Sequence, residues 1–242
     1  PAAGFLPDSG TISHLEVPTG DGIRVDNGIG EGDTVGVFYD PMLMKIITFG
    51  EDRQAALATL ERALGGLQVA GLGTNRDFLL AMLRRDAVRS ATITTDYLDT
   101  HGFTPEELEH DQALAVVASV AWLVRENPAP SFRLNQPHTS RVRFYDGDEP
   151  IDARMTQLDG ALEITVAQAS FTVTSIGSDA ADIDGRPCPF SIVDGGDALH
   201  VFLPRATRTL ARRRHYAGTS DGNAGVAAPM SGRIIRIEAN EG

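Results

Sequence analysis

The sequence predicts an α+β fold in which a unit of strands and helices is followed by an antiparallel β-barrel wrapped around a central helix. Three observations lead to this prediction. Residues 42–85 follow the pattern strand, helix, strand, helix. A later helix, from Asp111 to about Asn127, is apolar on every face. Residues 140–214 contain short alternating segments separated by Asp-Gly pairs, which are typical of antiparallel hairpins.

Composition excludes several classes of function. The chain has 242 residues, enough for one large domain or two small ones. Its net charge of −12 argues against a nucleic-acid partner, because nucleic-acid binding needs many phosphate contacts from cations. Cys188 is the only cysteine, which permits no internal disulfide and fits a reducing compartment. The longest apolar run, 113–124, is too short to span a bilayer, so we expect no membrane partner.

The first fifty residues predict short strands. Residues 11–17 alternate apolar and polar side chains, as in a half-buried strand. Residues 42–49 are nearly continuously apolar apart from Lys45, which predicts a strand covered on both faces.

Two helices follow. Leucines at three-to-four spacing predict a helix over 51–67, and residues 68–73 return as a strand. Thr74 and Asn75 offer an N-cap for a helix over 76–85. The apolar positions of that helix are Phe78, Leu79, Met82 and Leu83.

The central helix is the strongest single prediction. Residues 104–107 form a capping box, and Asp111 can cap the next helix, which ends before Pro128. Between 113 and 124 the only polar residue is Ser119, so the helix must be surrounded on every side. Asp-Gly pairs at 146–147, 159–160, 184–185 and 194–195 supply the hairpins that surround it.

A family resemblance enters at residues 22–53. The stretch contains Gly22-Ile23-Arg24, Phe38-Tyr39-Asp40-Pro41 and the only lysine of the chain, Lys45. With flanking matches at 4–7 and 68–75, it resembles the C-terminal subdomain of biotin carboxylase, found in α subunits of biotin-dependent acyl-CoA carboxylases. The resemblance implies a mixed sheet with helices over residues 1–102.

The resemblance extends further along the chain. Family members carry a β-barrel around a helix, the BT domain, where this sequence has residues 103–217, and residues 132–135 match a phrase after that helix. A tryptophan expected near this phrase is absent, with Ser131-Phe132 in its place. The family's barrel joins the α subunit to a carboxyltransferase β subunit, so residues of about 104–217 are predicted to bind that partner.

The last residues resemble the start of a carrier domain. Residues 218–225 are small and polar, which predicts a flexible linker. Residues 226–242 are similar to the first strand of a biotinyl domain, whose attachment lysine would lie beyond Gly242. We therefore expect this chain to be part of a longer α subunit.

The resemblance implies ATP- and bicarbonate-dependent carboxylation of biotin. The cofactors are biotin, with ATP and Mg²⁺ or Mn²⁺ bound at sites outside this chain. Arg24 matches a family arginine that holds bicarbonate and stabilises charge on the ureido oxygen of biotin. The alternative for Arg24 is a surface ion pair on a strand. Tyr39, Asp40 and Lys45 are predicted to support the site, Tyr39 and Asp40 as a positioning turn. Lys45 is either a cation near the site or a strand residue whose side chain reaches out to solvent.

Two functions remain open at this point. One is a catalytic component of an acyl-CoA carboxylase, and the other is a non-catalytic assembly module. Propionyl-, methylcrotonyl- and geranyl-CoA carboxylases fit, and so does a fragment of an acetyl-CoA, pyruvate or urea carboxylase. No cluster of His, Cys, Asp and Glu has metal-ligand spacing. We expect a cytoplasmic location in a bacterium, which is favoured, or the mitochondrial matrix in a eukaryote.

Overall fold

A computed structural model describes residues 6–38, 40–103, 110–126 and 139–212. We call residues 6–103 the N-terminal unit, and residues 110–126 with 139–212 the barrel. In these ranges, no helix combines the length and the apolar character needed to cross a membrane. The predicted capping box, the phrase at 132–135, Tyr39, the linker and the carrier strand lie outside the described residues.

The strands of the N-terminal unit form three two-stranded antiparallel ladders. They are β1 (Gly10–Thr11) with β4 (Thr34–Val35), β2 (His14–Glu16) with β6 (Gln68–Ala70), and β3 (Ile23–Asn27) with β5 (Met44–Thr48). The mixed sheet implied by the resemblance therefore stays a prediction. The strand predicted over 11–17 is divided between two ladders, because Ile12 N–H donates to the Asp33 carbonyl and Ser13 N–H to the Ala70 carbonyl.

The prediction that residues 42–49 form a strand covered on both faces was wrong. β5 is shorter than predicted and alternates between half-buried and exposed side chains. Ile47 is 39% exposed and Phe49 is 78% exposed. The physical reason is that β5 belongs to a two-stranded ladder with one face against a helix and the other face uncovered in the described structure.

The first helix, α1 (Arg53–Gly66), matches the predicted range of 51–67 apart from its ends. Asp52 caps it, since its Oδ1 accepts the Ala55 N–H at 2.8 Å. Leu64 and Leu67 are buried, in agreement with their helical spacing.

The second helix, α2 (Arg76–Met82), ends three residues before the predicted Arg85. Two short helices follow, α3 (Asp86–Arg89) and α4 (Tyr97–His101). Leu80 and Leu83 face the core with Leu64, whereas Leu79 is 38% exposed, contrary to prediction. The helix is too short for the predicted stripe to lie wholly on one packed face.

The barrel is a nearly closed antiparallel sheet of nine strands in the order β12-β11-β10-β9-β8-β7-β15-β14-β13. The strands in chain order are β7 (Thr139–Asp146), β8 (Glu149–Leu158), β9 (Ala161–Val166), β10 (Ala169–Ile176), β11 (Ala180–Ile183), β12 (Arg186–Pro189), β13 (Ser191–Asp194), β14 (Ala198–Phe202) and β15 (Thr207–Ala211). The two edge strands, β12 and β13, are separated only by the buried Phe190. The antiparallel barrel is therefore confirmed.

Each predicted Asp-Gly pair lies at a hairpin. At 184–185 both residues have positive φ, 54° and 74°, as a type I′ turn requires. At 194–195 the connection is longer, and Gly196 rather than Gly195 takes the positive φ. The β9–β10 turn has no Asp-Gly pair and places Ala167 at a φ of 53°, so sequence gave no signal for it.

The helix α5 (His110–Glu126) runs through the barrel as predicted. Its side chains from Ala115 to Ala121 are at most 1% exposed, and it packs against β8, β9, β10, β14 and β15. Ser119, which is fully buried, donates its hydroxyl to the Ala115 carbonyl at 2.8 Å. The one polar group in the apolar run is thus satisfied within the helix itself.

Candidate functional site

Arg24, the predicted catalytic residue, lies on β3 with its side chain 73% exposed. Residues two apart on a strand point to the same side, so Arg24 and Asp26 are neighbours. Nε of Arg24 donates to Asp26 Oδ1 at 2.8 Å, and Nη2 donates to Oδ2 at 3.1 Å. The guanidinium is therefore bound bidentately by a carboxylate of its own strand.

The electrostatics follow from this pair. The hydrogen bond to Asp26, and then its charge, raise the pKa of Arg24. The hydrogen bond from Arg24 holds the pKa of Asp26 below its ordinary value, and the charge of Lys45 adds to that effect. Lys45 stands opposite Asp26 in the β3–β5 ladder. Asp26 is thus flanked by two cations, and both groups of the pair stay charged at neutral pH.

A shallow groove of about 360 Å³ opens beside this pair. Its lining consists of residues from β3, from β5 and from the segment before β5: Asp26, Asn27, Gly28, Met42, Leu43, Met44 and Lys45. Asp40 contacts this lining, because its Oδ1 accepts the Met42 N–H at 3.0 Å. The structure thus places Lys45 in the lining of the groove and Asp40 against the lining residue Met42, while neither Asp40 nor Arg24 lines the groove.

The geometry of Arg24 matches the alternative of a surface ion pair. One edge of the guanidinium, formed by Nε and Nη2, is occupied by Asp26, and no described residue encloses the rest. The described residues around Arg24 therefore do not form a fitted site for bicarbonate or for the ureido group of biotin, and we derive no chemical step there. Within the described ranges, no group of three or more His, Cys, Asp or Glu side chains has metal-site geometry. The catalytic role of Arg24 stays a prediction.

A second feature lies where the N-terminal unit meets the barrel, and the sequence did not predict it. A cavity of about 380 Å³ is lined there by residues of the β6–α2 connection and of β14 and β15. Its polar lining includes Asp77 and His200. Burial lowers the pKa of Arg76 and raises that of Asp77, while the attraction between the two opposes both changes. The only sequence signal was an Arg-Asp pair at a helix start, which alone does not predict burial.

The chain is similar to known proteins over its whole length. The family described as biotin carboxylase C-terminal domain matches residues 1–100. That range corresponds closely to the N-terminal unit and stops before the barrel.

Two curated relatives extend through the barrel. The chain is 36% identical over 261 residues to the mitochondrial methylcrotonoyl-CoA carboxylase subunit alpha of Rattus norvegicus, covering 99% of this chain and 35% of that protein. It is 30% identical over 284 residues to the mitochondrial propionyl-CoA carboxylase alpha chain of Caenorhabditis briggsae, covering 100% of this chain and 38% of the relative. The chain therefore spans little more than a third of each.

Among solved structures, the biotin carboxylase domain of Hydrogenobacter thermophilus 2-oxoglutarate carboxylase is similar to part of the chain. The identity is 30% and the TM-score is 0.40, with 41% of this chain and 22% of that chain covered. That structure is described as a complex with MgADP, ADP and bicarbonate.

Proposed function

We infer the function of this chain from the premise that it belongs to the α subunits of biotin-dependent acyl-CoA carboxylases and carries their biotin carboxylase C-terminal domain. The proposed function has two parts. The N-terminal unit contributes to ATP- and bicarbonate-dependent carboxylation of biotin, and the barrel contributes to assembly with a carboxyltransferase β subunit.

The observation that carries this proposal is the extent of the similarity. A relative named as an α subunit matches 99% of the chain at 36% identity, so the match includes the barrel as well as the carboxylase domain. Biotin, ATP and Mg²⁺ are the proposed cofactors. The bound MgADP and bicarbonate described for the related biotin carboxylase domain agree with that chemistry.

The barrel is the proposed contact with the β subunit. The central helix of the barrel is buried in the barrel's own core, since the side chains of 115–121 have almost no exposure to solvent. A partner would therefore bind the outer faces of the strands or the hairpin ends rather than the helix. The boundaries 1–102 and 103–217 are part of the same proposal. So is a location in the cytoplasm or in the mitochondrial matrix; the two relatives are named as mitochondrial.

Co-purification tests the proposal directly. The tagged 242-residue chain and the carboxyltransferase β subunit of the same organism are co-expressed, captured through the tag and resolved by size-exclusion chromatography. We expect a complex that survives the column. The matched control is the β subunit alone on the same resin. A β subunit that elutes apart from the chain would overturn the assembly part of the proposal.

A second candidate is a module that assembles without taking part in chemistry. The observation that favours it is the exposed, carboxylate-bound state of Arg24 in a chain whose barrel is nearly closed. Both candidates assign assembly to the barrel, and they differ in whether the N-terminal unit contributes to catalysis in the full-length α subunit. If deleting residues 104–217 there leaves the α–β complex intact, the assembly role of the barrel is excluded.

A further inference from the structure

We infer that Arg76 and Asp77 are positioning residues that lock the barrel onto the N-terminal unit. The inference rests on the proposed function only where it concerns catalysis, because the contacts themselves are independent of any activity. The two residues open α2, and Arg76 is 2% exposed although it carries a full charge. A buried arginine is stable only when its donors are satisfied and its charge is compensated.

Within the N-terminal unit, Arg76 contacts the C-terminal end of α1. Its Nε donates to the Leu64 carbonyl at 2.7 Å, and Nη2 donates to the Gly65 carbonyl at 2.9 Å. These carbonyls belong to the last turn of α1, where a helix lacks backbone partners and favours a cation. Nη1 donates to Asp77 Oδ1 at 2.8 Å, which supplies the compensating charge.

The remaining contacts cross to the barrel. Arg76 Nη2 donates to the Leu203 carbonyl at 2.9 Å, and Nη1 donates to Thr207 Oγ1 at 3.0 Å. Asp77 Oδ2 accepts the Thr207 N–H at 2.8 Å and lies 3.5 Å from Arg208 Nη1. With these bonds, all five N–H donors of the guanidinium have acceptors, three within the N-terminal unit and two on the barrel.

The barrel segment that receives these bonds is itself fixed. It is the turn of residues 203–206 between β14 and β15, closed by the Leu203 N–H donating to the Ala206 carbonyl at 2.8 Å. Leu203 and Ala206 are buried. Two further contacts flank the turn: Ser191 Oγ donates to Gln68 Oε1 at 3.0 Å, and the rings of His14 and Phe202 lie 6.0 Å apart.

These contacts fix the orientation of the barrel relative to the N-terminal unit. The planar guanidinium of Arg76 donates hydrogen bonds to both units, which permits little rotation or sliding between them. The barrel, and any subunit docked on it, would then keep a fixed orientation relative to the carboxylase part. In a carrier-dependent reaction the distance between two reaction sites depends on such a fixed orientation, so displacement lowers the coupled rate without touching either site.

The first test measures that orientation in the 242-residue chain. Nitroxide labels are attached at Ala58→Cys in α1 and Ser175→Cys in β10, in a Cys188→Ser background, and the spin–spin distance distribution is recorded. Both labelled positions are exposed. We expect one narrow distribution in the parent chain.

The variants are chosen to separate coupling from folding. Arg76→Met removes every hydrogen bond of the guanidinium. Asp77→Ala removes the contacts of Asp77 with Thr207 and Arg208 of the barrel and leaves the bonds from Arg76 to the end of α1. The matched control is Arg84→Met, since Arg84 pairs only within the N-terminal unit, with Glu61 Oε1 at 3.0 Å. We expect broad distributions for Arg76→Met and Asp77→Ala and a narrow one for Arg84→Met. Narrow distributions in both variants would refute the lock.

The second test reads out function in the full-length α subunit with its β subunit. We expect Asp77→Ala to lower overall acyl-CoA carboxylation about tenfold or more. Bicarbonate-dependent ATP hydrolysis with free biotin should stay at the level of the parent, which a general folding defect would not allow. An unchanged overall rate despite broadened distances would overturn the positioning role. A parent complex with no carboxylation at all would instead refute the proposed function and leave the distance result standing.

Discussion

Exposed and buried arginines behave differently in this molecule, although the same group is involved. Arg24 and Arg143 each hold an aspartate bidentately at the surface. Arg76, in the interior, donates to Asp77 through Nη1 alone and uses its other donors elsewhere. An exposed pair is screened by water and contributes little to stability. A buried arginine is costly unless all its donors are used, so Arg76 depends on both units of the chain at once.

Arg24 gives the first prediction. The resemblance predicts that Arg24→Ala in the full-length α subunit lowers biotin carboxylation about a hundredfold, because the donor that stabilises charge on the ureido oxygen is lost. The alternative, a surface ion pair with Asp26, predicts a rate close to that of the parent. The measurement is bicarbonate-dependent ATP hydrolysis with free biotin. Arg143→Ala is the matched control, since its pair with Asp152 has the same bidentate geometry on the barrel. A loss of about a hundredfold in Arg24→Ala alone would establish the catalytic role.

His200 gives a prediction about pH. Burial lowers the pKa of His200 below its ordinary value of 6.5, and the charge of His14 lowers it further. A lowered folded-state pKa favours the neutral ring, so its contribution to stability is present above pH about 6.5 and is lost as pH falls through the folded-state pKa.

The measurement is urea unfolding of the chain at several values from about pH 7.5 down to about pH 5. His200→Gln should make the decline in unfolding free energy shallower. Glutamine can still bond Thr209, whose Oγ1 lies 3.1 Å from the ring nitrogen Nδ1, but it does not titrate. An identical slope in the variant would show that other groups cause the decline.

At the scale of elements, the strands of the barrel and its central helix each depend on the other for stability. A helix apolar on every face is unstable in water, and a sheet of nine strands needs a filled interior. α5 fills it with small and β-branched side chains, which allow close approach of the surrounding strands. At the open edge, β12 contains Pro187 and Pro189, which lack N–H donors and discourage pairing with another chain.

The helix gives the third prediction. Val120 is 1% exposed, so Val120→Asp should lower the free energy of unfolding by about 4 kcal/mol or more, because it buries a carboxyl without a partner. Trp122, the only tryptophan, lies on the same helix and reports unfolding by fluorescence. Val37→Asp is the control, since Val37 is 45% exposed and should tolerate the change. Equal effects at both positions would contradict the central placement of the helix.

At the scale of the whole molecule, the described residues form two units with polar contacts between them. The match to the biotin carboxylase C-terminal domain ends at residue 100, and the helix and strands of the barrel follow it in the chain. The relatives are nearly three times as long as this chain, as the covered shares of 35% and 38% require. The proposed division of labour therefore concerns a part of a larger assembly.

This gives the fourth prediction. We expect the 242-residue chain alone to show no bicarbonate-dependent ATP hydrolysis, because the resemblance assigns the nucleotide and metal sites to the part of the α subunit outside it. A coupled assay for ADP release with free biotin measures this, and the full-length α subunit is the positive control. Bicarbonate-dependent turnover by the purified chain would contradict the proposed division.

The sequence alone predicted a large share of this fold. The central helix, the four Asp-Gly hairpins and α1 were evident, because each depends on local signals such as periodicity, caps and turn residues. The candidate site was less predictable. A motif match placed Arg24 in a family pattern, with a surface ion pair as the alternative. Which carboxylate engages its guanidinium, Asp26, is visible only in the structure.

What the sequence determined by itself was the kind of element over much of the described chain and the family to which the chain belongs. Which side of β5 is covered, and that Arg76 is buried between two units, were decided only by tertiary structure. The physical reason is distance along the chain. Periodicity and capping act within a few residues, whereas the burial of Arg76 depends on Leu203 and Thr207, each more than 120 positions away.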